Sequence, residues 1–205
     1  MISLRDVTVK FDKKVVLEKL SFTFENGVKY AIMGESGCGK TTILNAISDL
    51  IKLSDGEIDI DEKIKISYVF QEPRLFDWLT VLENVALVID LPKNEAAEKS
   101  KKLLLELGLG DSLELYPAEL SGGMKQRVSI ARALAYEPTV LLLDEPFRAL
   151  DAETRQKVAT YVFDFMKKKT VIMVTHDDAD TEFADEILKI ESSPAGELNV
   201  VKNSI

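Results

Sequence analysis

The stretch GESGCGKTT, Gly34 to Thr42, fits G-x-x-x-x-G-K-S/T with nothing missing. Its glycines let successive backbone N–H groups curl around phosphate oxygens. The helix expected to follow presents its positive end to the same anion. Gly34, Glu35, Ser36, Gly37, Cys38, Gly39, Lys40, Thr41 and Thr42 make up this candidate nucleotide loop. In it Lys40 would reach the β- and γ-phosphates, and the Thr41 hydroxyl would take a position on Mg²⁺. A chance glycine turn is a poor account of a full motif with a strand before it and a helix after it.

Two further stretches end apolar runs on polar side chains. TVLLLDEP delivers Asp144 and Glu145 to the end of a strand that reads as buried, the edge where open α/β sheets bind ligands. Asp144 is placed to hold Mg²⁺, directly or through water. Glu145, one residue on, points elsewhere and could orient or deprotonate an attacking water, a division of labour that phosphoryl transfer requires. Taken alone, the pair would equally suit an ordinary strand end with solvated acids. TVIMVTH ends on His176, the chain's only histidine. A lone histidine is usually structural or simply exposed. At a strand end beside a phosphate loop it is better read as a partner of the γ-phosphate or of the attacking water.

The stretch LSGGMKQR, Leu120 to Arg127, looks like a second glycine-rich helix start. Ser121 is a good N-cap, and Gly122 and Gly123 permit close backbone approach, so the loop and helix end could form another anion site. By itself it could also be an ordinary capped helix.

These residues need a scaffold. Residues 2 to 9 alternate as a strand, and Val15 to Gly34 reads as two strands joined at Asn26-Gly27, a hairpin signal. Thr41 to about Leu50 reads as a helix, and Gly56 to Gln71 as two short strands. Asn94 to Gly110 has helical spacing, with Asn94 as cap candidate and a glycine stop. Helices from Ser121 to about Tyr136 and from Asp151 to about Lys168 flank the strand TVLLL. The pattern predicts one α/β domain: a core from 1–71 and 137–205, with a mostly helical insertion over 72–136.

With 205 residues, 46% of them hydrophobic, the chain is long enough for a packed core. A net charge of −9 argues against nucleic acid as the main partner. One cysteine excludes an internal disulfide and fits a reducing compartment. Cys38 reads more simply as a small residue tolerated in the loop than as a redox group. The N-terminus does not read as a signal peptide and no apolar run spans a bilayer, so the chain is expected to be soluble, with any membrane role requiring partner subunits.

The order GESGCGKTT, Gln71, LSGGMKQR, LLLDEPFRALD, TH closely resembles the ATP-binding subunits of ABC transporters over nearly the whole chain. The resemblance implies a RecA-like P-loop NTPase core sheet with an N-terminal antiparallel β subdomain and an inserted helical subdomain. It implies a Mg²⁺-dependent ATPase whose domains dimerise head to tail, as a homodimer or with a paralogous subunit, each ATP lying between the phosphate loop of one chain and LSGG of the other. On that likeness Glu145, His176 and Gln71 are catalytic; Thr41, Gln71 and Asp144 face Mg²⁺; and Ser121, Gly122 and Gly123 meet the partner's nucleotide. Phe11 resembles the residue that stacks on adenine, and Asp151 the aspartate that touches the opposite subunit. Arg148 stands where the family often has Ser, Met124 replaces a more usual Gln, and the segment from Lys40 to Gln71 is short.

The segment from Val69 to Leu87 resembles importers of nitrate, sulfonates, taurine and thiamine precursors, with Phe76-Asp77 departing slightly from their pattern. That likeness implies integral membrane permease subunits, a solute-binding protein, and a peripheral place on the cytoplasmic face of the membrane. Leu75, Phe76, Trp78 and Leu79 could dock a permease helix or fill the helical subdomain's own core; for Trp78 the two readings balance. DNA-repair and translation ATPases of this type fit poorly with the acidic composition and the short spacing. A soluble ATPase of iron–sulfur cluster assembly is the remaining alternative. The solute itself is not legible.

Overall fold

The computed structural model describes residues 1–12, 14–192 and 198–204. A three-stranded antiparallel sheet in the order β2-β1-β4 is built from β1 (Ile2–Phe11), β2 (Lys14–Phe24) and β4 (Asp55–Ile60). The second sheet runs β5-β6-β7-β3-β8-β9, with β3 (Lys29–Gly34), β5 (Ile66–Val69), β6 (Val140–Asp144), β7 (Thr170–Val174), β8 (Glu186–Ser192) and β9 (Leu198–Ser204). Its neighbours are parallel except the final β8–β9 pair.

Asn26-Gly27 does not make a hairpin. β2 and β3 lie in different sheets, and β3 is hydrogen-bonded on both sides, by β7 and β8. The Asn-Gly signal marks a real turn, with Gly27 at φ 79°, but its N–H donates to Thr170 Oγ1, 143 positions away, and the chain crosses between sheets. A turn signal is local, whereas strand pairing is decided by what can flank a strand on both edges. β1 also departs from strict alternation: Arg5 and Asp6 are both exposed between two buried runs. Shifts in its pairing with β2 and β4, and Asp6 at φ 49°, account for this as a bulge.

The helices are α1 (Lys40–Ile47), α2 (Val81–Ala86), α3 (Lys93–Glu106), α4 (Gly122–Ala135) and α5 (Ala152–Phe165). α3 starts earlier than its sequence suggests, with Pro92 at the N-cap and Asn94 inside the first turn. Proline needs no N–H partner there, which makes it a natural entry residue.

Alternation in the buried strands divides the core. Val140, Leu142, Ile172, Val174 and Ile32 pack with α1 and the antiparallel sheet. Leu141, Leu143, Val171 and Met173 face the other way, against α2 to α5. The consequence for function is the strand order. β7 lies between β6 and β3, and β5 lies outside β6, so the C-terminal ends of four parallel strands converge on one edge.

Candidate functional site

Gly34 closes β3, and the loop that follows turns into α1 at Gly39, whose φ of 102° belongs to the left-handed region. A side chain at Gly39 would also strike Leu17 Cδ2 at 2.9 Å, so both conformation and space demand glycine. Lys40 Nζ donates to the Gly34 and Glu35 carbonyls at 2.8 and 2.7 Å, which holds the ammonium within the loop. Cys38 is buried beneath it, with Sγ 3.8 Å from Lys40 Nζ. A cavity of about 510 Å³ opens over the loop; its wall includes Ser36, Lys40, Thr41, Gln71, Glu145 and His176. Val16 supplies apolar wall. Phe11 is half exposed at the end of β1 and lies outside this lining.

At the end of β6, Asp144 is 3% exposed and its Oδ1 accepts from Thr41 Oγ1 at 3.2 Å. Burial raises the pKa of this carboxyl and the charge of Glu145 adds to the rise; the Thr41 hydrogen bond and Lys40 oppose it. Behind it, burial and the negative charge of Asp144 push the Tyr68 hydroxyl well above its ordinary range. That hydroxyl donates to Asn45 Oδ1 at 3.2 Å.

Glu145 leaves the strand at φ 46°, in the left-handed region that a side chain of this size seldom adopts. The turn throws its carboxylate over the cavity, where three side chains meet it. Gln71 Nε2 donates to Oε2 at 3.0 Å, Arg148 Nη1 pairs with Oε2 at 3.1 Å, and His176 Nδ1 lies 3.3 Å from Oε1. Gln71, Glu145 and His176 thus arrive from the ends of β5, β6 and β7. Arg148, in the sequence only a departure from the family pattern, pairs with the Glu145 carboxylate and lines the cavity wall.

Ser121 caps α4, accepting from Met124 N at 3.3 Å. Ser121 and Gly122 are exposed, and none of Ser121, Gly122 and Gly123 lines the cavity over the phosphate loop. A side chain at Gly122 would meet nothing within 4 Å, whereas at Gly123 it would press on Ala149 O at 2.9 Å. Gly123 therefore lets α4 pack against the chain after Glu145, while Gly122 leaves the surface open. α4 also grips the segment after β5: Gln126 Nε2 reaches Phe70 O at 3.5 Å and Arg132 Nη2 donates to Arg74 O at 2.6 Å. Asp151 caps α5 by accepting from Thr154 N at 3.0 Å and is exposed.

Trp78 is 73% exposed, with Phe76 packed beside it at 5.2 Å between ring centres. Its loop is pinned from below. Buried Asn84 accepts from Phe76 N and donates to the Phe76, Leu79 and Thr80 carbonyls. The balance between core and surface left by the sequence is resolved: Trp78 is a surface residue on a braced turn. Leu75 packs on the core.

The donors suit a magnesium nucleotide. Thr41 and Asp144 offer a hydroxyl and a carboxylate, hard oxygen ligands, and no cluster of three His, Cys, Asp or Glu side chains forms a metal cage among the described residues. Mg²⁺ is commonly held by one or two carboxylates with substrate phosphates, not by a dedicated cage.

A parallel sheet bearing this loop and this carboxylate edge defines a P-loop NTPase. Residues 17–148 match the family described as ABC transporter. The aliphatic sulfonates import ATP-binding protein SsuB of Bacillus thuringiensis subsp. konkukian is 41% identical over 218 aligned positions, covering 100% of this chain and 86% of that protein. The bicarbonate transport ATP-binding protein CmpD of Synechocystis sp. is 39% identical over 193, covering 87% and 68%. The dimeric structure of a post-hydrolysis ATP-binding cassette bound to ADP and Pi superposes with a TM-score of 0.88 at 32% identity, covering 100% of this chain and 98% of that one. The chain belongs to the ABC transporter family, as one of its ATP-binding subunits.

Proposed function

We propose that this chain is the Mg²⁺-dependent ATPase subunit of an importer, working in pairs that sandwich ATP. The observation that carries the reading is a division. Lys40, Thr41, Gln71, Glu145 and His176 line one cavity, with Asp144 bonded to Thr41 behind it, while Ser121 to Gly123 lie outside it, Ser121 and Gly122 exposed and Gly122 open. In this reading the chain carries two half-sites, one at the cavity and one at the exposed start of α4 outside it. A second copy turned head to tail would complete both.

In this reading the loop N–H groups and Lys40 bind the β- and γ-phosphates, and Phe11 stacks on adenine. Thr41, Asp144 and Gln71 would hold Mg²⁺, which when bound neutralises phosphate charge. Glu145 orients the attacking water and accepts its proton, with Gln71 fixing the carboxylate. His176 holds the γ-phosphate side of the site. Ser121, Gly122 and Gly123 meet the partner's nucleotide, Asp151 touches the partner, and hydrolysis releases the pair.

We further propose residues 1–71 and 137–205 as the nucleotide core and 72–136 as the helical arm. Trp78, braced by Asn84 and close in sequence to Gln71, would dock a helix of a membrane permease. The import names of similar proteins favour that partner, a solute-binding protein upstream, and a place on the cytoplasmic face of the membrane. Among the described residues no helix is long and apolar enough to cross a membrane, so attachment would come from the permease.

The test is Ser121→Arg. ATP binding to the single chain should persist while hydrolysis stops. Loss of binding would assign LSGG to its own chain's nucleotide and defeat the sandwich.

A further inference from the structure

Arg155 has no place in the cavity wall, yet its guanidinium is held by two carboxylates. It sits one turn into α5, its N–H donating to Asp151 O at 2.8 Å. Nε and Nη2 both reach Asp180 Oδ1, at 2.9 and 2.6 Å, and Nη1 reaches Asp177. Asp180 is 4% exposed. Its second oxygen accepts from Thr175 Oγ1 at 2.6 Å, and that hydroxyl accepts from Asp177 N at 3.1 Å. Thr175 is also fastened through its backbone N–H to Ile32 O at 3.2 Å, beside the strand that enters the phosphate loop.

His176 lies between Thr175 and Asp177. Both neighbours answer to the same guanidinium, Asp177 directly and Thr175 through Asp180. The imidazole therefore projects from a three-residue segment fixed at each end, with Nδ1 3.3 Å from Glu145 Oε1. Desolvating such charges is costly, and a well-packed apolar contact would often serve stability as well. What a planar fork adds is direction, because its donors leave at fixed angles that an ammonium does not reproduce.

We propose that Arg155 is a positioning residue for hydrolysis. Through Asp177 and Asp180 it sets where His176 stands against Glu145, and it links that place to the start of α5, where Asp151 caps the helix. Movement of α5 would then be felt at His176. The link from dimer closure to chemistry rests on the reading of Asp151 and His176 given above; the clamp itself does not.

His176 is the only histidine, so its imidazole ring-proton NMR signals are unambiguous. The full chain is measured without nucleotide as wild type, Arg155→Lys and Asp177→Asn. Arg155→Lys keeps the charge and loses the fork. Asp177→Asn alters a half-exposed tether, so it remains informative where Arg155→Lys fails to fold. Both are expected to shift the His176 signals and narrow them toward a freely rotating ring. In ATPase assays kcat should fall roughly tenfold, the scale on which outer partners of a reacting group act, with KM for ATP within about twofold. Unmoved His176 signals overturn the proposal, as does an unchanged kcat with moved signals. A wild-type chain that binds no ATP would sink the functional reading instead, while the nucleotide-free spectra would still decide the clamp.

Discussion

Gln71 and Glu145, 74 positions apart, are joined side chain to side chain at 3.0 Å. Neither could choose that contact alone. It exists because β5 and β6 are parallel neighbours in register from Ile66 opposite Val140 to Val69 opposite Leu143. Removing the amide frees a carboxylate without removing it. Gln71→Ala is therefore expected to lower kcat by roughly tenfold to hundredfold and to leave ATP affinity within about threefold. Steady-state kinetics beside equilibrium binding of a fluorescent ATP analogue separate the two effects. A large loss of affinity with kcat intact would place Gln71 in binding only.

The two glycines of LSGG, Gly122 and Gly123, should respond in opposite ways. Gly122→Ala adds a methyl to open space, so stability and single-chain ATP binding should hold, and any loss of hydrolysis reports a surface outside this chain. Gly123→Ala drives the methyl toward Ala149 O and should cost about 1–3 kcal/mol. Denaturant melts and ATPase assays on both variants check the contrast.

Trp78 and Asn84 form a second contrast. Trp78→Ala should leave the chain's own stability within about 0.5 kcal/mol, because the ring is exposed. Asn84→Ala strips partners from the loop's carbonyls and from Phe76 N–H and should cost about 2–3 kcal/mol. Chemical denaturation measures both. A stability loss for Trp78→Ala as large as that for Asn84→Ala would return the tryptophan to the core.

The clamp at Arg155 carries a pH signature. Its hydrogen bond holds the Asp177 carboxyl below the usual range, helped by the Ala179 N–H and by the charges of Arg155 and His176; slight burial opposes the shift. A depressed folded pKa means stability that is present above the unfolded value, about 3.9, and is lost as pH falls through the folded one. Wild type should exceed Asp177→Asn by about 0.5–1 kcal/mol near neutral pH, discounted for the half-exposed side chain. The gap should close below about pH 4. Urea melts across that range would show it, and a gap that widens in acid would contradict the assignment.

The residues of the candidate site were legible in the sequence wherever a motif closed an apolar run. Gly34 to Thr42, Asp144, Glu145 and His176 announce their strands because parallel buried strands are continuous and short. Strand order was not legible, since nothing local tells β7 to lie between β3 and β6; the false hairpin at Asn26-Gly27 is the same failure. Arg155, Gln126 and Arg132 carry no signal in the sequence, and Arg148 stands out there only as a departure from the family pattern, because each acts through a partner. Arg132 needs the Arg74 carbonyl 58 positions away, and Arg155 needs Asp180 25 positions on. Trp78 could not be placed because an apolar identity does not name the face it occupies.

The central claim is that ATP clamps two copies, each supplying half of every site. Glu145→Gln keeps the side chain's size while removing its power to take a proton. Sized by chromatography with light scattering, this variant should be monomeric without nucleotide and a dimer with ATP and Mg²⁺, returning to monomer when Ser121→Arg is added. A Glu145→Gln chain that binds ATP yet stays monomeric at every salt concentration would contradict the account.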